Sequence, residues 1–246
     1  MNLKTKTPLA LYFHWPFCKH KCPYCDFNSH VREKVEEERW LQAFKEEIFS
    51  WKGTLENKVI TSIFFGGGTP SLMPPKLVSA IITQLESITE LAPDIEITLE
   101  ANPTSVEASK LQAFAQAGIN RLSLGIQSFN NEELQYLGRQ HSATEAIDAI
   151  SLAASLFPKY SFDLIYAFPG QTHETWKKAL DKALELSSNH LSLYQLTIEK
   201  GTEFYRRARQ GTLPLMSQED ANILYDFTNS YLACNGFSQY EVSNYA

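Results

Sequence analysis

Arg121-Leu-Ser-Leu-Gly-Ile-Gln127 reads as a strand with two unlike faces. Leu122, Leu124 and Ile126 share one side, and Ser123, Gly125 and Gln127 share the other, the two-residue period of an extended chain. Ile95-Glu-Ile-Thr-Leu-Glu100 repeats the pattern, with Ile95, Ile97 and Leu99 opposite Glu96, Thr98 and Glu100. A doubly wound sheet needs apolar residues on both faces of its strands. Here one face is polar or small, as expected of strands that line a site-bearing interior.

Four further apolar runs of this length flank these two, at residues 9–14, 60–65, 160–166 and 191–197. Amphipathic stretches lie between the six, at 35–51, 75–88, 105–117, 132–137 with 144–156, and 175–186. A last helix is expected over 218–233, with Ser217 and Asp220 in the positions of a capping box. Glu33-Lys-Val-Glu-Glu-Glu38 reads as a solvated helix face. Strands alternating with helices predict βαβ units and a parallel sheet, and the handedness of such units puts the helices on one side. The expected fold class is therefore α/β, a partial (β/α)6 TIM-like barrel. The groups that follow each strand agree with it. They include Gly66-Gly-Gly-Thr-Pro70, Glu100-Ala-Asn-Pro103, Gln127-Ser-Phe129, and Asp163 followed by Phe168-Pro-Gly-Gln171. Functional groups collected at C-terminal strand ends are the habit of barrel enzymes.

The bulk properties set outer limits. The chain has 246 residues, 43% hydrophobic and 20% charged, with a formal net charge of −6. No basic stripe supports a general nucleic-acid binder, so none is expected as a partner. No apolar run approaches the roughly 18 residues of a membrane span. The first eight residues carry no apolar leader core, and a cytoplasmic location is expected.

Cys18-Lys-His-Lys-Cys22-Pro-Tyr-Cys25 holds three of the four cysteines, directly after the first strand. A disulfide between such close neighbours constrains little chain and stabilises little. Cys22-Pro-Tyr-Cys25 alone resembles a redox dithiol, but that chemistry belongs to a small thioredoxin-like fold. A structural zinc site wants a fourth ligand, for which His14, His20 and His30 are the neighbours. Three thiolates on a short loop also suit three irons of a 4Fe-4S cluster, leaving one iron open to another ligand. Pro16 and Pro23 stiffen the loop. Spacing alone leaves the dithiol, zinc and cluster readings standing. Cys234, on the last helix, reads as a small buried hydrophobe. His141 and His173 are isolated and are given solvated or capping roles.

The cysteine spacing with Tyr24 beside the last thiol, together with Gly66–Pro70 after the second strand, resembles the radical S-adenosylmethionine (SAM) superfamily. Tyr12-Phe-His-Trp-Pro-Phe-Cys18, Leu137-Gly-Arg-Gln140, Asp163-Leu-Ile-Tyr166 and Tyr240-Glu-Val-Ser-Asn-Tyr-Ala246 narrow the likeness to the oxygen-independent coproporphyrinogen III oxidase group. The decarboxylating oxidases of that group resemble a pattern with a fourth cysteine two positions after the third. Here that position is Phe27, so the loop is similar to that of the HemW heme chaperone branch. The resemblance implies a 4Fe-4S cluster on Cys18, Cys22 and Cys25, with SAM on the open iron. It places SAM against Tyr12, Gly67, Gly68, Thr69, Glu100, Gln127, Arg139, Asp163 and Thr197, the last through its backbone. It implies heme as cargo, heme-accepting proteins and an electron donor as partners, and no catalytic side chain. The alternative it carries is oxidative decarboxylation of coproporphyrinogen III. It also implies that residues 1–246 are the radical SAM core and that a smaller C-terminal domain, with a His-Asn-x-x-Tyr-Trp heme motif, lies outside this chain.

Overall fold

The computed structural model describes residues 6–246; Met1-Asn-Leu-Lys-Thr5, part of the stretch read above as lacking a leader, lie outside them. Six parallel strands run in sequence order: β1 (Thr7–Trp15), β2 (Lys58–Gly67), β3 (Glu90–Ala101), β4 (Arg121–Gln127), β5 (Lys159–Tyr166) and β6 (Leu191–Gln195). Two short strands, β7 (Gln239–Glu241) and β8 (Asn244–Tyr245), extend the sheet. β8 pairs antiparallel with β6, and β7 with β8. The sheet order is β1-β2-β3-β4-β5-β6-β8-β7, so β1 stays an edge and the partial barrel is open, as expected.

The two faces are as unlike as their sequences. Ile63, Phe65, Ile97, Leu99, Leu122 and Leu124 point outward and are at most 4% exposed. Helices Pro75–Glu86, Ala143–Leu156 and His173–Leu186 cover them with Leu77, Ile81, Ile150, Trp176 and Leu180. Each such side chain removed from water contributes roughly 1.5–3 kcal/mol before chain entropy is counted. Capping residues set the helix starts: Ser142 and Thr172 each close a capping box, and Ser217 accepts from the Asp220 N–H.

On the inner face, polar groups at the N-terminal ends of the strands satisfy one another. Arg121 donates to Ser161 Oγ (2.9 Å) and Thr98 Oγ1 (3.4 Å). Glu96 accepts from Lys159 at 3.0 Å and lies 3.8 Å from Arg121. This end of the interior is filled. The C-terminal end is open, and the loops there define the site.

Several bounds differ from those read in the sequence. The first helix starts at Glu37, and the region 105–117 is two short helices, Ser105–Ala108 and Leu111–Gln116. β6 ends at Gln195, so Thr197 stands in the loop beyond it; Leu196 N–H makes the last bond, to the Tyr166 carbonyl. Helix Glu203–Arg209 and the β7–β8 pair are additions. Cys234 is exposed rather than buried. The buried stripe of its helix runs through Ala221, Leu224, Thr228 and Leu232, and position 234 falls off it.

Candidate cofactor site at the strand ends

A cavity of about 740 Å³ opens at the C-terminal strand ends. Cys18, Cys22, Cys25, Gly68, Thr69, Glu100, Gln127, Arg139, Asp163 and Thr197 all line it. Of the residues expected there, Tyr12 and Gly67 stand outside this lining. Tyr12 is on the inner face of β1, 59% exposed, with its ring stacked on Phe64 at 5.9 Å. Gly67 lies behind the wall, where its N–H donates to Glu100 Oε2 at 3.3 Å.

The glycine run and the cysteine loop are built against each other. Gly68 N–H donates to the Trp15 carbonyl (2.7 Å) and Thr69 N–H to the Phe17 carbonyl (2.9 Å). A Cβ at Gly68 would sit 2.7 Å from the Phe17 carbonyl oxygen. Gly67 has φ +114°, and a Cβ there would meet His14 at 2.7 Å. The glycines therefore serve first to admit the chain leading to Cys18, a close backbone approach that any side chain blocks.

The cysteine loop is further braced from below. Cys25 N–H donates to the Cys22 carbonyl, and Arg32 N–H to the Cys18 carbonyl. Lys21 Nζ folds back onto the Phe27 carbonyl at 3.0 Å. Pro23 packs on Gly138, where a Cβ would come within 2.8 Å of its ring, and the Pro23 carbonyl accepts from Phe204 N–H. Phe204 belongs to a small apolar cluster with Leu137, Ile165, Phe168 and Leu213. Phe27 is 57% exposed at the cavity rim. Among the described residues, no three His, Cys, Asp or Glu side chains converge closely enough to hold a single metal ion. Thiolates that share a larger cluster stand farther apart.

Of the four carboxyl side chains in the lining, Asp26 and Glu199 are exposed at the mouth, and Glu100 and Asp163 stand deeper. Burial, then the neighbouring Asp163, push Glu100 up to about 7, against the pull of the Gly67 N–H. Burial likewise pushes Asp163 up to about 6, opposed by its hydrogen bond to Ser192 and by Arg121 and Arg139. Arg139 is anchored by Nη2 to Asn102 Oδ1 and the Gly125 carbonyl, each at 2.7 Å, and Nη1 reaches Cys22 Sγ at 3.6 Å. Gln127 is held at φ +71°, in the left-handed region that few non-glycine residues adopt.

Comparison with known proteins agrees with this geometry. The model of the radical SAM superfamily matches residues 12–183. The chain belongs to the radical SAM superfamily. It is 44% identical over 241 residues to the mouse mitochondrial radical S-adenosyl methionine domain-containing protein 1, covering 98% of this chain and 54% of that protein. It is 41% identical over 246 residues to the heme chaperone HemW of Haemophilus influenzae, covering 97% and 63%. The structure of the radical SAM enzyme coproporphyrinogen III oxidase (HemN) from Escherichia coli superposes with a TM-score of 0.85 at 26% identity, over 98% of this chain and 56% of that one. The chain thus spans between about half and two thirds of the length of these relatives.

Membership of the radical SAM superfamily implies a 4Fe-4S cluster and SAM, and the donor set fits both. Three free thiols face one cavity. Among the described residues, Gln127 Oε1 and Arg139 Nε are buried without a partner, an acceptor and a donor left for a polar ligand. The two carboxyls, both raised by burial, suit a ligand that carries an ammonium and a sulfonium.

Several residues around this cavity have a role that the sequence does not announce: Glu107 and Glu133 fall outside the strand-end groups, and Asn102, Ser128 and Gln171 lie within them without an assigned task. Asn102 and Glu107 hold Arg139 and the glycine loop. Glu133 accepts from Ser128 Oγ and from Gln171 Nε2 (3.2 Å), while Gln171 Oε1 accepts from Ala167 N–H (2.7 Å). That bridge joins the loops after β4 and β5, next to Gln127 and Ala167, which both have a left-handed φ. His141 is buried, not solvated. Its Nε2 bonds the Ile126 carbonyl at 3.0 Å, and burial with Arg139 nearby lowers it to about 4. His173 packs on the Phe227 ring, while Thr172 caps its helix. Among the described residues, no helix is long and apolar enough to cross a membrane.

Proposed function

We propose that this chain is the core of a heme chaperone-type protein that binds heme and passes it to acceptor proteins. The observation that carries this reading is Phe27. A phenylalanine at the cavity rim stands where the decarboxylating oxidases are expected to place a fourth cysteine. Relatives named heme chaperone HemW, at 33–41% identity over at least 96% of the chain, support it.

In this reading Cys18, Cys22 and Cys25 hold three irons. Glu100 and Asp163 accept from the ammonium and ribose hydroxyls of SAM. Arg139 takes the carboxylate through its Nε–H, a buried donor that its bonds to Asn102, Gly125 and Cys22 leave free. Gly67 supports Glu100 from behind the wall, the carbonyls of Gly68 and Thr69, whose N–H groups are engaged, accept from the methionyl ammonium, Gln127 offers its free oxygen, and Thr197 contributes backbone from the loop after β6. Tyr12 closes the open edge beside Phe64. The cluster, when bound, supplies electrons one at a time to SAM; the chain supplies orientation and a dry wall. Heme, the acceptor proteins and an electron donor are the partners, in an aqueous compartment such as the cytoplasm. The relatives extend beyond the matched part, so the reading concerns the full protein, in which residues 1–246 form the core and a smaller C-terminal domain follows.

A second reading, oxygen-independent coproporphyrinogen III oxidation, is favoured by the likeness to the E. coli oxidase. One experiment separates the two. The full-length protein is reconstituted anaerobically, titrated with hemin by absorbance, mixed with an apo-hemoprotein, and assayed with coproporphyrinogen III, SAM and reductant. The chaperone reading expects bound and transferred heme and no decarboxylated product. Decarboxylation at enzymatic rate without heme transfer would overturn it.

A further inference from the structure

Glu107 is 4% exposed, and among the described residues its partners are all neutral donors. A buried carboxylate is costly unless its oxygens are satisfied. Here Oε2 accepts from the Ser71 hydroxyl and from Asn102 N–H (2.9 Å). Oε1 accepts from Asn102 Nδ2 and Thr104 Oγ1, both at 3.4 Å. Ser71 follows the glycine run and Asn102 follows β3, so one side chain ties two strand-end loops together.

The next links lead into the cavity. Asn102 Nδ2 also reaches Thr69 Oγ1 at 3.5 Å, and Asn102 Oδ1 accepts from Arg139 Nη2 at 2.7 Å. Arg139 Nη2 donates to the Gly125 carbonyl as well, and Nη1 reaches Cys22 Sγ. The direction of this chain is forced. A carboxylate only accepts and a guanidinium only donates. Asn102 must therefore turn its NH₂ to Glu107 and its oxygen to Arg139. The reversed amide would set donor against donor at one end and acceptor against acceptor at the other. Both Nη2 hydrogens are engaged, one Nη1 hydrogen reaches Cys22, and Nε–H is a buried donor with no partner among the described residues.

We propose that Glu107 is a positioning residue for cofactor binding: through Asn102 it fixes the Arg139 guanidinium so that Nε–H stays free for the carboxylate of SAM. The inference rests on the reading of Arg139 as a SAM contact and is independent of heme. It is tested on the full-length protein after anaerobic reconstitution, by equilibrium dialysis of SAM with iron content measured in parallel. Glu107→Gln and Asn102→Asp each face a like group across the pair and are expected to weaken SAM binding about tenfold, with iron content unchanged. The double variant Glu107→Gln/Asn102→Asp restores the donor–acceptor sense. Its new amide at position 107 offers the oxygen to Ser71 and to the backbone N–H of position 102. The NH₂ of that amide then faces the new carboxylate at position 102. The affinity of the double variant is expected to return to within about threefold of the parent, which a loss of packing alone would not produce. Arg139→Ala separates the two levels. If it binds SAM as the parent does, the reading of Arg139 fails and the inference with it. If it weakens binding while Glu107→Gln does not, the inference alone fails. Should Glu107→Gln not fold, the other two variants still decide. Asn102→Asp binding like the parent, or a double variant no better than Asn102→Asp, overturns the proposal.

Discussion

Glu100 and Asp163 set the electrostatics of the cavity at the scale of single residues. Glu100 titrates at about 7 and Asp163 at about 6, because burial disfavours their charged forms. A cationic ligand needs those charges, so affinity is present above about pH 7 and is lost as pH falls through 7 and then 6. SAM affinity is expected to drop about tenfold between pH 8 and pH 6, read by anaerobic equilibrium dialysis, and Glu100→Gln should flatten most of that slope. An equally steep slope in Glu100→Gln would show that other groups carry it. The placement of Glu100 on a polar strand face is legible from the two-residue period alone. The supporting residues are not. Asn102, Glu107 and Glu133 act through partners 3 to 38 positions away in sequence, and only the fold brings the distant ones, Ser71, Arg139 and Gln171, to them. His141 escapes a sequence reading for the same reason, since nothing local announces that the loop after β4 buries it.

At the scale of elements, the cysteine loop is a wedge held between the glycine run and a small apolar cluster. The glycines that flank it differ from one remote from it, and substitutions should sort them. Gly68→Ala puts a Cβ 2.7 Å from the Phe17 carbonyl oxygen, against backbone that cannot swing away. It is expected to cost roughly 1–3 kcal/mol of stability in denaturant unfolding and to lower iron uptake on reconstitution. Gly138→Ala meets Pro23 at 2.8 Å with φ +66°, and should loosen the same loop from its other side. Gly53, within the short helix Lys52–Leu55, has open space where a Cβ would go and no left-handed φ. Gly53→Ala should therefore stabilise the protein, by about 0.5–1 kcal/mol, with iron uptake unchanged. If Gly68→Ala took up iron as well as Gly53→Ala does, the wedge would not be what shapes the loop. The strand–helix order is readable because six strands and their long helices carry clear periods. Gln239–Glu241 and Asn244–Tyr245 are too short to show one, and Glu203–Arg209 contributes one buried side chain, Phe204, to a contact made in the tertiary fold.

Across the whole molecule, the inner face is sealed by the Arg121 network at one end and left open at the other, and that asymmetry weakens the ligand-free fold. Glu100 and Asp163 have folded pKa values of about 7 and about 6, above the 4.5 and 3.8 of the free side chains. A carboxyl whose folded value is raised lends stability while protonated. That stability is present below the unfolded value and is lost as pH rises through the folded one, here between about pH 4 and pH 7. Above pH 7 each ionised group opposes folding by on the order of 3 kcal/mol, an amount that a bound cation would offset. Replacing both with neutral isosteres should remove the penalty. Glu100→Gln/Asp163→Asn, without SAM, is expected to melt roughly 10–20 °C above the parent at pH 8, with a much smaller gain at pH 5. SAM should raise the melting temperature of the reconstituted parent at pH 8 and leave that of the double variant nearly unmoved. A double variant that gained equally at both pH values would place the effect in packing rather than in charge. One that melted below the parent at pH 8 would mean that the two carboxylates hold the strand ends together instead of straining them.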